Sequence, residues 1–333
     1  MHVIIIGSGV AGVSFAEKYR ALAADADITL ITQENDGYYS RPLLSRGFTK
    51  NDIEQTIILK TFAKLRDNHI TVLSDTNVTD ITRTQKTITV RHAEQQQTLN
   101  YDKLIIATGS KAFIPPLYRP FSELFFCLNS LSDLKALRRV RASLVKPHWA
   151  IIGGGLIGCE VASDLAVAGD NVTLFHVMDR LMERQLVPED SDLLKQVLEK
   201  SGVTVLLNQT ISSLSKPQEK VTIITDVAQE FDAVIVACGF QPHTELAVQA
   251  GLAVGRGIKV NDYLQTDDES IYALGDVAEH PNGKMYAFIL PIRNQALWLA
   301  NHFAEQTSPS WSPPVFTTKA KVHGFEAVYP YQV

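Results

Sequence analysis

Two glycine runs in this chain could do chemistry. Gly7-Ser8-Gly9-Val10-Ala11-Gly12 follows the apolar run from His2 to Ile6, and Gly153-Gly154-Gly155-Leu156-Ile157-Gly158 follows Trp149 to Ile152. Each reads as a buried strand, a tight turn and the first turn of a helix. The first glycine permits the turn, the second lets backbone approach a pyrophosphate, and the third lets the helix lie close on the strand. The helix start then presents unpaired N–H groups and a partial positive charge to the phosphates. One such run is a weak signal. Here there are two, and each half of the chain closes with an apolar strand ending in glycine, Ala107-Thr108-Gly109 and Ala237-Cys238-Gly239. That repetition implies two dinucleotides on one chain, and two redox dinucleotides side by side make an electron-transfer enzyme.

Other side chains fall where such crevices need them. Glu34 lies 22 residues beyond Gly12, at the end of a second strand from Asp27 to Thr32, near where an acid meets an adenosine ribose. In the second half the corresponding strand, Asn171 to His176, ends in a histidine, with Asp179, Arg180 and Arg184 following. Neutral His176 could accept either ribose; protonated, it and Arg184 could tolerate a 2′-phosphate, so NADH and NADPH both stay open. The loop from Asp36 to Arg46 is too rich in functional side chains for a plain connector. Ser270 to Asp276 is again strand, glycine, acid, and Ile289-Leu290-Pro291-Ile292 leads into a helix from about Arg293 to Glu305. The three cysteines, Cys127, Cys159 and Cys238, are far apart and form no C-x-x-C, and the nine histidines are isolated. A structural metal and a redox dithiol are both unexpected.

These residues must be held by an α/β scaffold. Helices are expected over Val13 to Ala23, Phe62 to Asn68 and Leu193 to Ser201; strands over His69 to Leu73 and Val203 to Leu207. Small antiparallel strands are expected over Lys86 to Arg91 and Thr98 to Tyr101, and again at Thr222 to Ile224 and around Phe231. This is the internal repeat of a whole domain plan. Ser308 to Pro314 reads as a linker. The length of 333 residues suggests two to three domains. A formal charge of −5 with scattered basic residues gives no support for nucleic-acid binding. No apolar stretch reaches the ~18–20 residues that span a bilayer, so no membrane association is expected. The first strand starts at His2, which leaves no room for a leader and makes the cytoplasm the expected location.

The chain resembles the two-dinucleotide flavoprotein reductases of the pyridine nucleotide–disulfide reductase fold. The matching pieces are Gly7 to Gly12, Tyr39-Ser40-Arg41-Pro42, Ala107-Thr108-Gly109, Gly153 to Glu160, Ala237-Cys238-Gly239 and Tyr272 to Asp276. Within that group it is most similar to rubredoxin reductases and NADH:flavorubredoxin reductases, through Arg41 to Phe48, Leu156 to Glu160, Leu252 to Ile258 and Val315 to Lys319. The resemblance implies two Rossmann-like, three-layer ββα domains. An FAD domain would comprise 1–118 and 245–312, an inserted NAD(P) domain 119–244, and 313–333 a remnant of an interface domain that in relatives runs on for several dozen residues.

By the same resemblance Gly7, Gly9, Val10, Ala11 and Gly12 would cradle FAD, with Glu34 on its ribose. Arg41, Pro42, Val78, Thr108, Gly109, Ser110 and Gly275 would line it. Asp276 would bind the ribityl chain, and Pro291 and Ile292 would open a helix aimed at the flavin. Gly153, Gly155, Leu156, Ile157, Gly158, His176, Arg184, Cys238 and Gly239 would serve NAD, with NADP the alternative. Glu160 would sit near the ring junction, paired with Arg46, and Lys319 would touch the flavin or an acidic carrier. Glu160 as a packing residue, Arg46 as a solvated loop charge and Lys319 as a surface lysine are the competing structural readings. The disulfide branch of the fold needs cysteines beside the flavin, and the loop here offers only Ser40 and Ser45. The implied activity is therefore hydride transfer from NADH to FAD N5, then single electrons to rubredoxin or a rubredoxin-like carrier. A ferredoxin reductase or general NADH diaphorase is the rival within the fold, and a non-catalytic nucleotide-binding module the rival outside it. Oligomeric state stays open.

Overall fold

The computed structural model describes residues 1–305 and 309–331. Ser308, where the linker was expected to begin, lies outside the described residues. The chain divides into two compact units: Met1–Ser40, Ile58–Lys111 and Pro242–Phe316 form the first, and Arg41–Ile57, Ala112–Gln241 and Thr317–Val333 the second. The sequence reading gave 41–57 to the first domain and set 313–333 apart. Contacts group 41–57, 112–118 and 317–333 with the second unit, and 242–244 and 313–316 with the first.

The first unit is built on a parallel five-stranded sheet. Its order is Ile271–Ala273, Lys103–Ile106, His2–Ile6, Asp27–Ile31, Thr71–Leu73. Side chains alternate across a strand, and both faces of the central strand are buried. Val3 and Ile5 join a cluster with Phe15, Ala16 and Tyr19 of the helix Val10–Leu22 and with Ala296, Leu299 and Ala300 of the helix Ile289–Glu305. Ile4 and Ile6 join Val78, Ile81, Ile88 and Val90 of an antiparallel ribbon, Asn77–Thr82, Thr87–His92 and Gln95–Asn100. The unit is thus three layers: helices, parallel sheet, ribbon.

The second unit repeats the plan with four parallel strands, ordered Val203–Leu206, Asn171–Phe175, His148–Ile152, Ala233–Val236. One sheet face packs Ala150, Ile152, Val234 and Val236 against Leu214, Val221, Ile223 and Phe231 of its own antiparallel ribbon. Its fingerprint helix runs Leu156–Val167. The repeat reaches individual hydrogen bonds. The His2 N–H donates to Asp102 at 2.6 Å and the His148 N–H to Asp232 at 2.7 Å. Both imidazole Nε2 atoms lie 3.0 Å from a threonine hydroxyl on the neighbouring strand, Thr29 and Thr173.

Most expected elements are present with ends shifted by a few residues. The larger differences have physical causes. The loop after Tyr39 is wound into a short 3-10 segment, Arg41–Phe48, because Leu44, Ser45, Gly47 and Phe48 are buried. The last long helix begins at Ile289 rather than Arg293, since Pro291 is tolerated in a first turn. The helix Leu131–Ala142 was not foreseen; a full capping box starts it, Ser130 and Asp133 each bonding the other's backbone N–H. No helix among the described residues is long and apolar enough to cross a membrane.

Candidate functional site

Each unit carries a glycine cradle, and the two are built alike. Gly7 and Gly153 both stand at φ +116°. A Cβ on Gly7 would lie 2.2 Å from the Ala107 carbonyl oxygen, and one on Gly153 2.4 Å from that of Ala237. The first glycine therefore lets the turn lie against the closing strand. A Cβ on Gly12 would come within 2.0 Å of the Gly7 oxygen, and one on Gly158 within 1.8 Å of the Gly153 oxygen, so the third glycine seats the helix. At the middle glycines, Gly9 and Gly155, a Cβ would meet nothing within 4 Å. Both cap their helices without a side-chain hydrogen bond. The first-turn N–H groups, including those of Val10 and Ala11 and of Leu156 and Ile157, have no intrahelical acceptor. A free face, free donors and a positive helix end are what a pyrophosphate requires. The residues present therefore fit a dinucleotide in each unit.

In the first unit Glu34 lies beyond the strand Asp27–Ile31, its Oε1 accepting from the Tyr39 hydroxyl at 3.0 Å and its N–H donating to Thr32 Oγ1 at 3.2 Å. Gly109 follows the closing strand at φ +67°, and Thr108 Oγ1 donates to the His243 carbonyl at 3.1 Å. The Ser110 hydroxyl donates to Asp276 Oδ2 at 2.7 Å. Gly275 before it, at φ +77°, is wedged between the helix starts: its Cβ would lie 3.3 Å from both Ala11 and Ile292. Its N–H donates to Oε1 of the fully buried Gln295 at 2.8 Å, and Gln295 Nε2 lies 3.0 Å from His280 Nε2. Burial pushes His280 down to about 4, so the ring is neutral and Nε2 accepts. This network, absent from the sequence reading, fixes the turn that presents Asp276. The side chains of Val78 and Ile292 are core members, and Pro291 is buried in the first turn of the last helix.

In the second unit the charged residues pair differently from expectation. Arg46 does not meet Glu160. Its Nη1 donates to the fully buried Asp164 at 2.8 Å and its Nη2 to the Lys321 carbonyl at 3.0 Å, with His323 against the same guanidinium. Glu160, also buried, takes Lys321 instead: Oε2 from the ammonium at 2.5 Å and Oε1 from the backbone N–H at 2.8 Å. Glu160 and Asp164 are one helical turn apart on one face, and the tail reaches the first of them with two donors at once. Lys319 is 73% exposed and pairs with Glu326 at 3.0 Å, a solvent-side contact. Arg41 donates to the Asn129 carbonyl at 2.5 Å, with Pro42 exposed beside it.

His176 is turned inward. Its Nδ1 accepts from the Gly154 N–H at 3.0 Å and its Nε2 lies 3.2 Å from Glu183 Oε2. Arg184 is 85% exposed, with Nε 3.7 Å from Glu183. Sequence reasoning missed Glu183; it stands seven residues past His176, where spacing carries no signal. Gly239 is at φ +113° with open space on its Cβ side. The thiols are quiescent. Burial pushes Cys127 and Cys238 each up to about 11, and Cys159 is raised further, with the Glu160 and Glu183 carboxylates adding to burial. Among the described residues no group of three or more His, Cys, Asp or Glu is placed to hold a metal.

Paired three-layer units with complete glycine cradles define a two-dinucleotide oxidoreductase, with FAD and NAD(H) as its cofactors. The chain belongs to the pyridine nucleotide-disulphide oxidoreductase family, whose model matches residues 1–295. A nitric oxide reductase FlRd-NAD(+) reductase of Escherichia coli (strain K12 / DH10B) is 35% identical over 314 residues, covering 92% of this chain and 80% of the relative. Among solved structures, an NAD-dependent persulfide reductase from A. fulgidus superposes with a TM-score of 0.89 at 28% identity, over 97% of this chain. This chain spans 62% of that protein's length. The putidaredoxin reductase of a covalent complex with putidaredoxin superposes at 0.85 and 27% identity, over 96% of this chain and 79% of its own.

Proposed function

We propose that this chain is an NADH-dependent reductase of rubredoxin or a rubredoxin-like iron–sulfur carrier, working in the cytoplasm. The observation that carries the reading is two complete, uncapped glycine cradles on a chain whose cysteines are all held as protonated thiols. FAD, when bound, supplies the chemistry that joins a two-electron hydride donor to a one-electron acceptor. The protein's own part is to bind and orient. Gly9 and Gly155 admit the phosphates, Glu34 offers its carboxylate to a ribose, and Asp276 with Ser110 offers one to the cofactor's polyol. The carrier class is supported by the FlRd-NAD(+) reductase relative and by the putidaredoxin reductase likeness. An anaerobic titration tests it. NADH should bleach the bound flavin at one equivalent, and the reduced protein should pass electrons faster to a rubredoxin than to a [2Fe–2S] ferredoxin. A flavin that NADH leaves oxidised defeats the reading, and a ferredoxin preference replaces the carrier.

A further inference from the structure

Dinucleotide crevices commonly place an acid at the end of the second strand, on the adenosine ribose. In the second unit that place belongs to His176, immediately after the strand Asn171–Phe175. Because Nδ1 accepts the Gly154 N–H, the ring carries its proton on Nε2 and donates it to Glu183 Oε2 at 3.2 Å. The glycine makes this packing possible: a Cβ at residue 154 would lie 2.7 Å from His176 Cγ and 2.6 Å from Leu181 Cδ2. Both ring nitrogens are thus used within the protein and the ring is buried.

The neighbouring bases are not arranged for a phosphate. Arg180 gives its guanidinium to the carbonyls of Leu186 and Glu183 at 2.6 and 2.8 Å and to Ser191 Oγ at 3.2 Å, so it frames the turn. Arg184 stands out in solvent, its nearest carboxylate oxygen that of Glu183. Two carboxylates follow the strand end, exposed Asp179 and Glu183, 21% exposed; Glu183 is the one with an oxygen held by the His176 ring. We infer that Glu183, oriented by His176, replaces the strand-end acid, receiving the adenosine 2′-hydroxyl and rejecting a 2′-phosphate, so that this crevice selects NAD(H). The inference rests on the proposed reading of this crevice as the nicotinamide-nucleotide site. Glu183 is the specificity-determining residue and His176 a positioning residue behind it. A carboxylate accepts from a hydroxyl and repels a dianion, so one group serves both selections.

The test uses the FAD-loaded full chain and calorimetric titration with ADP-ribose and 2′-phospho-ADP-ribose. The unaltered protein should prefer ADP-ribose. Glu183→Gln should cut that preference by about tenfold, chiefly by tightening the phosphorylated ligand. His176→Phe, which fills the space without a donor, should reduce it less, while His176→Gln, which keeps a donor, should retain most of it. A Glu183→Gln protein with a normal melting curve and an unchanged ratio overturns the assignment of Glu183. Should that variant melt early, Glu183→Asp, which keeps the charge on a shorter arm, must still favour ADP-ribose. If the unaltered protein binds neither ligand, the crevice itself has been misread, a result distinct from loss of selectivity in a protein that binds both.

Discussion

At the residue scale, three glycines that look interchangeable in the sequence do separate work, and substitution separates them. Gly7→Ala forces a Cβ against the Ala107 carbonyl at φ +116° and should destabilise the protein by about 2–4 kcal/mol, read as a fall in melting temperature. Gly9→Ala meets nothing within 4 Å, so the protein should fold normally yet lose FAD, visible as a reduced flavin-to-protein absorbance ratio after gel filtration. A Gly9→Ala protein that keeps its full flavin removes the cradle from the account. The thiols allow an equally direct check. Alkylation with iodoacetamide at pH 7 should leave NADH-driven flavin reduction unchanged, because burial holds Cys127, Cys159 and Cys238 protonated. The glycines were legible in sequence because a backbone conformation admits few residue types. The partners of Arg46 and Glu160 were not, since each is chosen by chain segments far away in sequence; that of His176 was not, since Glu183 is close in sequence but lies in a turn that no periodicity marks.

At the element scale, the tail is held as a strap on the second unit. Lys321 caps Glu160, the His323 N–H donates to Ser163 Oγ at 3.0 Å, and the Val328 and Tyr329 N–H groups donate to the two oxygens of Asp190 at 2.8 and 2.9 Å. Removing one partner of a buried ion pair leaves the other charge unpaired, which costs more than the pair itself contributes. Lys321→Ala should therefore cost about 3 kcal/mol in urea unfolding, and adding Glu160→Gln should recover roughly half of it. Equal losses in the single and double variants would show that the strap is held by packing alone. Periodicity and turn residues revealed both parallel sheets, but not the tail, which has neither strand nor helix among its described residues. The helix Leu131–Ala142 was legible in principle: Ser130 and Asp133 have the spacing of a capping box. The ribbon strand Asn77–Thr82 was harder, because its buried side chains do not alternate strictly and its pairing slips between Val78 and Asp80.

At the scale of the whole molecule, the duplication read from the fingerprints extends to sheet order, strand register and backbone angles, so the chain is two variations on one dinucleotide-binding plan. The variations lie in buried polar groups, and one of them, a neutral histidine, responds to acid. In the first unit His280 packs edge-on against Tyr286 and tilted against Trp311 and serves as acceptor for Gln295, whose carbonyl holds the Gly275 N–H. Its folded pKa lies at about 4, below the ordinary histidine value of 6.5. Between those values the unfolded chain binds a proton that the folded protein refuses, so stability is greatest above pH 6.5 and is lost as pH falls towards 4. His148 and His302, also lowered by burial, act in the same direction. The shift at His280 corresponds to a loss of about 3 kcal/mol across that window. His280→Gln preserves an acceptor for Gln295 without a titratable ring. Its unfolding free energy should decline less than that of the unaltered protein between pH 6.5 and 4, while the two curves run parallel above pH 7. Parallel curves through the acid range would remove the histidine behind the Asp276 turn as the source of the acid sensitivity.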